Sequence, residues 1–167
     1  MTRSFRVSEE WFNALEEDAL RHKVSLNTLV DQLFEAHANF ERHVEKIGMM
    51  RVTKVAFRRL LDMCAPEKIA LAARLHATDS GKVNAISIFG ELNLTSFLGA
   101  LSLMCTYGGW GEYHENETSQ GRHVITLVHD LGPSGSLYLY NFVKAFLEQI
   151  SREAKITSNE SGVVIEI

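Results

Sequence analysis

Over the first 34 residues the hydrophobic period changes from two to about 3.6, which predicts a strand followed by two helices. In Thr2–Ser8, Phe5 and Val7 alternate with polar neighbours, as in a strand with one apolar face. Ser8 stands at a helix N-cap position, and the two acidic residues after it suit a helix N-terminus. We expect the first helix to bury its large apolar residues, Trp11, Phe12, Leu15 and Leu20.

A second helix is predicted after Ser25, its expected N-cap. Its apolar residues repeat at helical spacing and form one wide stripe: Leu26, Leu29, Val30, Leu33 and Phe34. A lone strand with two such helices exposes an unpaired strand edge and more apolar surface than it can cover. Two copies that pair strand to strand would cover both, so we expect a homodimer.

The segments FRVSEEWFNAL and VSLNTLVDQL resemble the ribbon-helix-helix family of DNA-binding proteins, over about the first 45 residues. The resemblance implies an intertwined dimer whose two-stranded ribbon enters the major groove of double-stranded DNA. It implies base contacts from the outward side of the strand and a phosphate held at the start of the second helix. The DNA-binding residues are then Thr2, Arg3, Ser4, Arg6, Ser25 and Asn27. Many family members have glycine between the helices, where this chain has His22-Lys23-Val24.

The charge of this region keeps a second interpretation open. Residues 1–50 carry six Lys/Arg against nine Asp/Glu, whereas DNA-binding domains are usually basic. A dimerisation module that binds no DNA is therefore the alternative. However, no acid precedes Glu9, and Arg3 and Arg6 keep the strand positive. We favour DNA binding, with modest non-specific affinity.

The whole chain has an ordinary composition, with 167 residues, 46% apolar residues, 23% charged residues and a net charge of −4. Its start lacks the apolar segment of a signal peptide, and its apolar runs end well before 18 residues. We therefore expect a soluble cytoplasmic protein with no membrane partner. Cys64 and Cys105 lie in apolar helical patterns and are expected to be reduced core residues. Gly48 is the expected boundary between domains 1–48 and 49–167.

For the second domain the pattern predicts two helices separated at Pro66, followed by four strands and two further helices. These are a strand Val83–Phe89, a helix Leu94–Tyr107, a hairpin of Trp110–Glu115 and Arg122–His129, a long helix through Ile150, and one or two short strands around Asn159–Gly162. The order β-α-β-β-α-β predicts an α+β, ferredoxin-like domain. Such a domain commonly senses a ligand or joins dimers into tetramers.

A basic cluster lies at the start of this domain, formed by Arg51, Lys54, Arg58 and Arg59. Two interpretations stay open. The cluster contacts phosphates beside the ribbon, or it is a solvated helix face, which is slightly favoured.

The segment from His129 to Ser136 is the most site-like stretch of the chain. It leads from a strand end through a glycine-bearing turn to a helix N-terminus, where free amides attract anions. The candidate ligand-binding residues for a small molecule are His129, Asp130, Gly132, Ser134 and Ser136, with Trp110 beside its neighbouring glycines. A strand end followed by an ordinary turn and N-cap is the favoured alternative. The surrounding VITLVHDLGPSGSLYLYNFVKAFLEQ resembles archaeal regulatory output or sensor domains, whose ligand is generally unassigned.

Metal binding and catalysis are less favoured. A hairpin symmetric about residues 118 and 119 would place His114 opposite His123, which makes these two the weak candidates for a metal-responsive regulator. The nickel-responsive ribbon-helix-helix repressor, a precedent by architecture, uses two histidines separated by one residue and then a cysteine, a spacing that this chain lacks. We expect no cofactor. We also expect no enzyme, because there is no GxSxG motif and both cysteines are predicted to be buried.

Overall fold

The computed structural model describes residues 4–44, 46, 48–118 and 122–167. It divides the chain into two units, Met1–Arg42 and His43–Ile167, so that the division falls slightly before the expected boundary at Gly48. The second unit is an α+β structure with a four-stranded antiparallel sheet.

The first unit contains the two expected helices, α1 (Glu9–His22) and α2 (Leu26–Ala36). Each begins at the predicted cap, where the side chain of Ser8 or Ser25 accepts a backbone hydrogen bond three residues later. Lys23 ends α1 with φ +56°, the left-handed conformation that glycine adopts most easily. A π-helical turn, His37–Glu41, continues α2 into the short helix α3 (Arg42–Val44). The expected end of this helix at Ile47 lies outside the described residues.

Two expectations for the first unit are not met within the single chain. Of the predicted strand Thr2–Ser8, residues 4–8 form no strand, and Thr2 and Arg3 lie outside the described residues. A strand needs a hydrogen-bonded neighbour, and the described part of this unit offers only helices. The first helix also does not bury the large apolar residues expected inside: Trp11 is 66% and Leu20 79% exposed, Phe12 is exposed as well, and Leu15 is half-buried. Two helices alone cannot enclose residues on both of their faces.

The second unit continues with five helices and four strands. In chain order they are α4 (Lys54–Asp62), α5 (Pro66–His76), a π-helical turn (Ala77–Gly81), α6 (Lys82–Phe89), α7 (Leu94–Thr106), β1 (Glu112–Glu117), β2 (His123–Val128), α8 (Gly132–Gln149), β3 (Lys155–Asn159) and β4 (Gly162–Glu166). Pro66 begins α5 as expected, and the predicted hairpin, long helix and terminal strands are confirmed. The strand order is β1-β2-β4-β3, with every neighbouring pair antiparallel.

The predicted strand Val83–Phe89 is wrong, because these residues form most of helix α6. A seven-residue apolar run fits either structure, and only its packing decides between them. In α6 the small Ala85 is fully buried, while Val83 and Ile86 are exposed. Since this first strand is missing, the β-α-β-β-α-β order of a ferredoxin-like domain is not found.

The core lies between one face of the sheet and helices α7 and α8. Ile125 and Leu127 of β2 pair with Ile165 and Val163 of β4, and all four are buried on that face. Their neighbours on the helices include Phe97 and Phe146, whose rings stack 4.5 Å apart. Among the described residues, no single helix is both long and apolar enough to cross a membrane, and the pair Pro66–Phe89 and Leu94–Thr106 qualifies only when joined across a 99° bend.

Candidate functional site

His129 closes the junction between β2 and α8 as an internal clamp. Its side chain is 6% exposed, and its Nδ1 accepts a hydrogen bond from the backbone N–H of Leu131 at 3.2 Å. Its Nε2 lies 3.0 Å from Oγ of Ser136 in the first turns of α8. A nitrogen that accepts from a backbone N–H carries no proton, so the neutral ring donates from Nε2 to Ser136. Burial lowers the pKa of His129, which keeps the ring neutral near pH 7.

Two glycines, Gly132 and Gly135, allow the close packing of the turn between β2 and α8. A Cβ on Gly135 would overlap the side chain of Leu131, and Gly132 has φ +70°. Helix α8 begins at Gly132 after Leu131, which makes no side-chain cap, so Ser134 lies inside the first turn and is not the N-cap. Of the candidate ligand-binding residues, the structure therefore brings His129 and Ser136 together, joined by a hydrogen bond.

Asp130, the residue after His129, lines a charged depression of the surface. Its carboxylate lies 3.2 Å and 3.4 Å, through its two oxygens, from Nζ of Lys54 on α4. This hydrogen bond from Lys54 is the largest cause that lowers the pKa of Asp130. The depression has a volume of about 520 Å³ and is lined by Lys54, Val55, Arg58, Arg59, Asp62 and Asp130. Two segments that were separate candidates in the sequence, the basic cluster and the turn after β2, therefore meet here.

Trp110 lies in a different place, within an aromatic cluster around His76. The His76 ring lies 5.9 Å from Trp110 and 4.9 Å from Phe142, centroid to centroid. Its Nδ1 is 2.6 Å from the hydroxyl of Tyr138. Burial lowers the pKa of His76 and raises the pKa of Tyr138 to about 12, so both are neutral at pH 7. Trp110 thus packs on the rings of His76 and Phe142.

The His76–Tyr138 pair was missed by sequence reasoning. The two residues are 62 positions apart and belong to α5 and α8, which pack on each other. The only signal in the sequence is that each lies in a largely apolar helix.

The hairpin register separates the two candidate metal-binding histidines. His114 pairs with Thr126 and His123 pairs with Glu117, so the expected pairing of His114 with His123 is wrong. Because successive residues of a strand point to opposite faces, this register puts the two histidines on opposite faces of the sheet. Each lies beside a glutamate instead, His114 3.2 Å from Glu112 and His123 3.1 Å from Glu115. In the described ranges no group of three or more potential ligands is arranged to hold a metal.

The two cysteines differ from each other. Cys105 is buried as expected, and burial raises its pKa to about 11, so it is a thiol at pH 7. The expectation that Cys64 is also a core residue is wrong, because it is exposed. It follows the last turn of α4, with its thiol 3.2 Å from the carbonyl oxygen of Leu60.

Of the predicted DNA-binding residues, those in the described part of the chain are exposed: Ser4, Arg6, Ser25 and Asn27. The ring of Phe5 lies 5.7 Å from that of Phe34 on α2. In an extended segment, alternation then turns Ser4 and Arg6 away from that helix. The hydroxyl of Ser25 accepts from the N–H of Thr28 at 3.1 Å as the cap of α2.

No protein-family model, no curated protein and no solved structure matches this chain.

Proposed function

We propose that this chain is a homodimeric, sequence-specific DNA-binding transcription regulator of the ribbon-helix-helix type. Its first unit would form the dimer and bind double-stranded DNA. Its second unit would sense a small molecule or join dimers into tetramers.

The apolar surface of the first unit is the observation that carries this proposal. The capped helices α1 and α2 leave a set of large apolar side chains exposed: Phe5, Val7, Trp11, Phe12, Leu20, Leu33 and Phe34. Large apolar side chains exposed in this number on one small unit are typical of an interface. A second copy of the same unit would cover it and would also give residues 4–8 a strand to pair with.

The position of Arg6 supports the DNA-binding part of the proposal. Phe5 contacts Phe34, so a ribbon built from this segment turns its apolar residues to the helices and Arg6 outward. An arginine on the outer face of a ribbon is well suited to bind guanine in the major groove. The negative charge of residues 1–50 favours the second candidate, a dimerisation module without DNA.

Selection of bound sequences from a random duplex library, at a low and a moderate salt concentration, tests the proposal. Enrichment of a palindromic or repeated short motif is expected, with half-sites spaced as the dimer requires. A chain that is a dimer but enriches no motif, and whose weak binding disappears at moderate salt, would establish the dimerisation module instead.

Arg6→Ala is expected to weaken binding to the selected sequence by about 1–3 kcal/mol while leaving the dimer intact, because it removes a base contact and no packing. Fluorescence anisotropy with the selected duplex and a scrambled duplex measures this loss. Arg152→Ala, an exposed arginine of the second unit, is the matched control and should bind like the wild type. Equal losses on the two duplexes would mean that Arg6 contacts only phosphates.

A further inference from the structure

The charged depression beside α4 combines one face of that helix with a residue far away in the sequence. Five of its lining residues come from two consecutive turns of α4, and the sixth, Asp130, follows β2. With a volume of about 520 Å³ it falls within the range of small-molecule sites.

The lining carries three cations and two carboxylates. Lys54 pairs with Asp130 at 3.2 Å, and Arg58 pairs with Asp62 at 3.7 Å. Arg59 makes no ion pair with any residue in the described ranges, so one guanidinium is left over. Both existing pairs are about half exposed, and exposed pairs are weak enough to exchange partners with a ligand.

Arg58 lies beside the backbone at the start of α8. A Cβ on Gly132 would lie 3.2 Å from Nε, Cζ and Nη2 of Arg58, so the guanidinium lies flat against this glycine. Any larger residue at position 132 would push the arginine away. The depression thus has one cation beside backbone and one unpaired cation on neighbouring positions of the same helix.

We propose that this depression binds a small organic phosphate that also carries hydroxyl groups. Arg58, Arg59 and Lys54 bind the phosphate, since guanidinium groups match phosphate oxygens in pairs. Asp62 and Asp130 accept hydrogen bonds from the hydroxyls. The two carboxylates disfavour the polyanionic backbone of DNA, and the concave shape suits a ligand smaller than a duplex. This inference rests on the proposed function in one respect: it names the class of small molecule that the second unit of the proposed regulator would sense.

Calorimetric titration of the full chain, without DNA, with ribose 5-phosphate, inorganic phosphate and ribose tests this inference. Ribose 5-phosphate is expected to bind more tightly than inorganic phosphate, and ribose not at all. Arg59→Ala should weaken both phosphates about tenfold, because it removes a charged donor. Arg74→Ala, an exposed arginine of α5 outside the depression, is the matched control and should bind like the wild type.

Asp130→Asn separates the two roles assigned to the lining. It releases Lys54 from its ion pair and should tighten inorganic phosphate, while the preference for ribose 5-phosphate over inorganic phosphate falls. The inference is overturned if neither phosphate binds at millimolar concentration, or if Arg74→Ala weakens binding as much as Arg59→Ala. It is also overturned if a short duplex of random sequence competes with ribose 5-phosphate and binds more tightly than ribose 5-phosphate does. Because no DNA is needed for the titration, its failure leaves the duplex-selection result standing, and the reverse also holds.

Discussion

Leu33→Glu is expected to convert the proposed dimer to monomers and to abolish DNA binding, while each monomer keeps its helices. Leu33 is 49% exposed in the first unit, so a charge there costs the isolated unit little. In a dimer the same position would be covered by the second copy, where an unpaired carboxylate costs several kcal/mol, once for each copy. Sedimentation equilibrium measures the oligomeric state, and far-ultraviolet circular dichroism checks the helices.

The adjacent residue provides a matched control for this change. Gln32→Glu introduces the same charge at an exposed polar position of α2 and should leave the dimer and its DNA binding unchanged. A Leu33→Glu variant that remains a dimer would show that the chain associates through another surface. The ribbon-helix-helix proposal would then lose its main support.

The free energy of unfolding is expected to fall steeply as the pH drops below about 6.5, because burial lowers the pKa of two histidines, His76 and His129. Burial lowers the pKa of His76 and His129 from the ordinary value of 6.5 in the folded chain. Above pH 6.5 both are neutral in the folded and in the unfolded state, so their contribution is constant. Below it the unfolded chain takes up two protons that the folded chain does not, and the stability falls by up to about 2.7 kcal/mol per pH unit.

Nearby groups oppose or assist this effect. Asp130 raises the pKa of His129 and Lys54 lowers it, but desolvation is the largest cause. The partner of His76 is the hydroxyl of Tyr138, whose own pKa is raised to about 12 and which stays neutral throughout the acid range. The fall should continue until the pH reaches the folded-state pKa of each ring and then level off.

Urea denaturation at several pH values between 5 and 7.5 measures this slope. His76→Gln and His129→Gln should each lower the slope by up to about 1.4 kcal/mol per pH unit, whatever their effect on stability at pH 7.5. His22→Gln, at an exposed position of α1, is the control and should leave the slope as in the wild type. A slope that neither buried-site variant changes would mean that other groups govern the acid response.

Local features of the chain were predicted well because their causes are local. A serine followed by helical spacing was enough to place the starts of α1 and α2, since a cap bonds only three residues onward. Pro66 fixed the start of α5 in the same way. The hairpin and the last two strands followed from alternation and turn residues.

The errors came where several structures satisfy one local pattern. Val83–Phe89 alternates like a strand, yet it forms a helix. In this helix Ala85 is buried against the core, and the sheet of the second unit is built from the four later strands. The hairpin was predicted correctly, but its register was not. The observed register places His114 on the face of the sheet opposite His123.

The sequence by itself determined the two capped helices of the first unit and the helical spacing of their apolar residues. Each depends on residues within about one turn or one strand of each other. Only the tertiary structure decided that His76 bonds Tyr138, that His129 clamps Ser136, and that Lys54 and Arg58 meet Asp130 and Gly132. Most of these contacts join segments tens of residues apart, and even the seven-residue step from His129 to Ser136 depends on how β2 turns into α8. They are fixed by packing against the core, which no short pattern in the chain encodes.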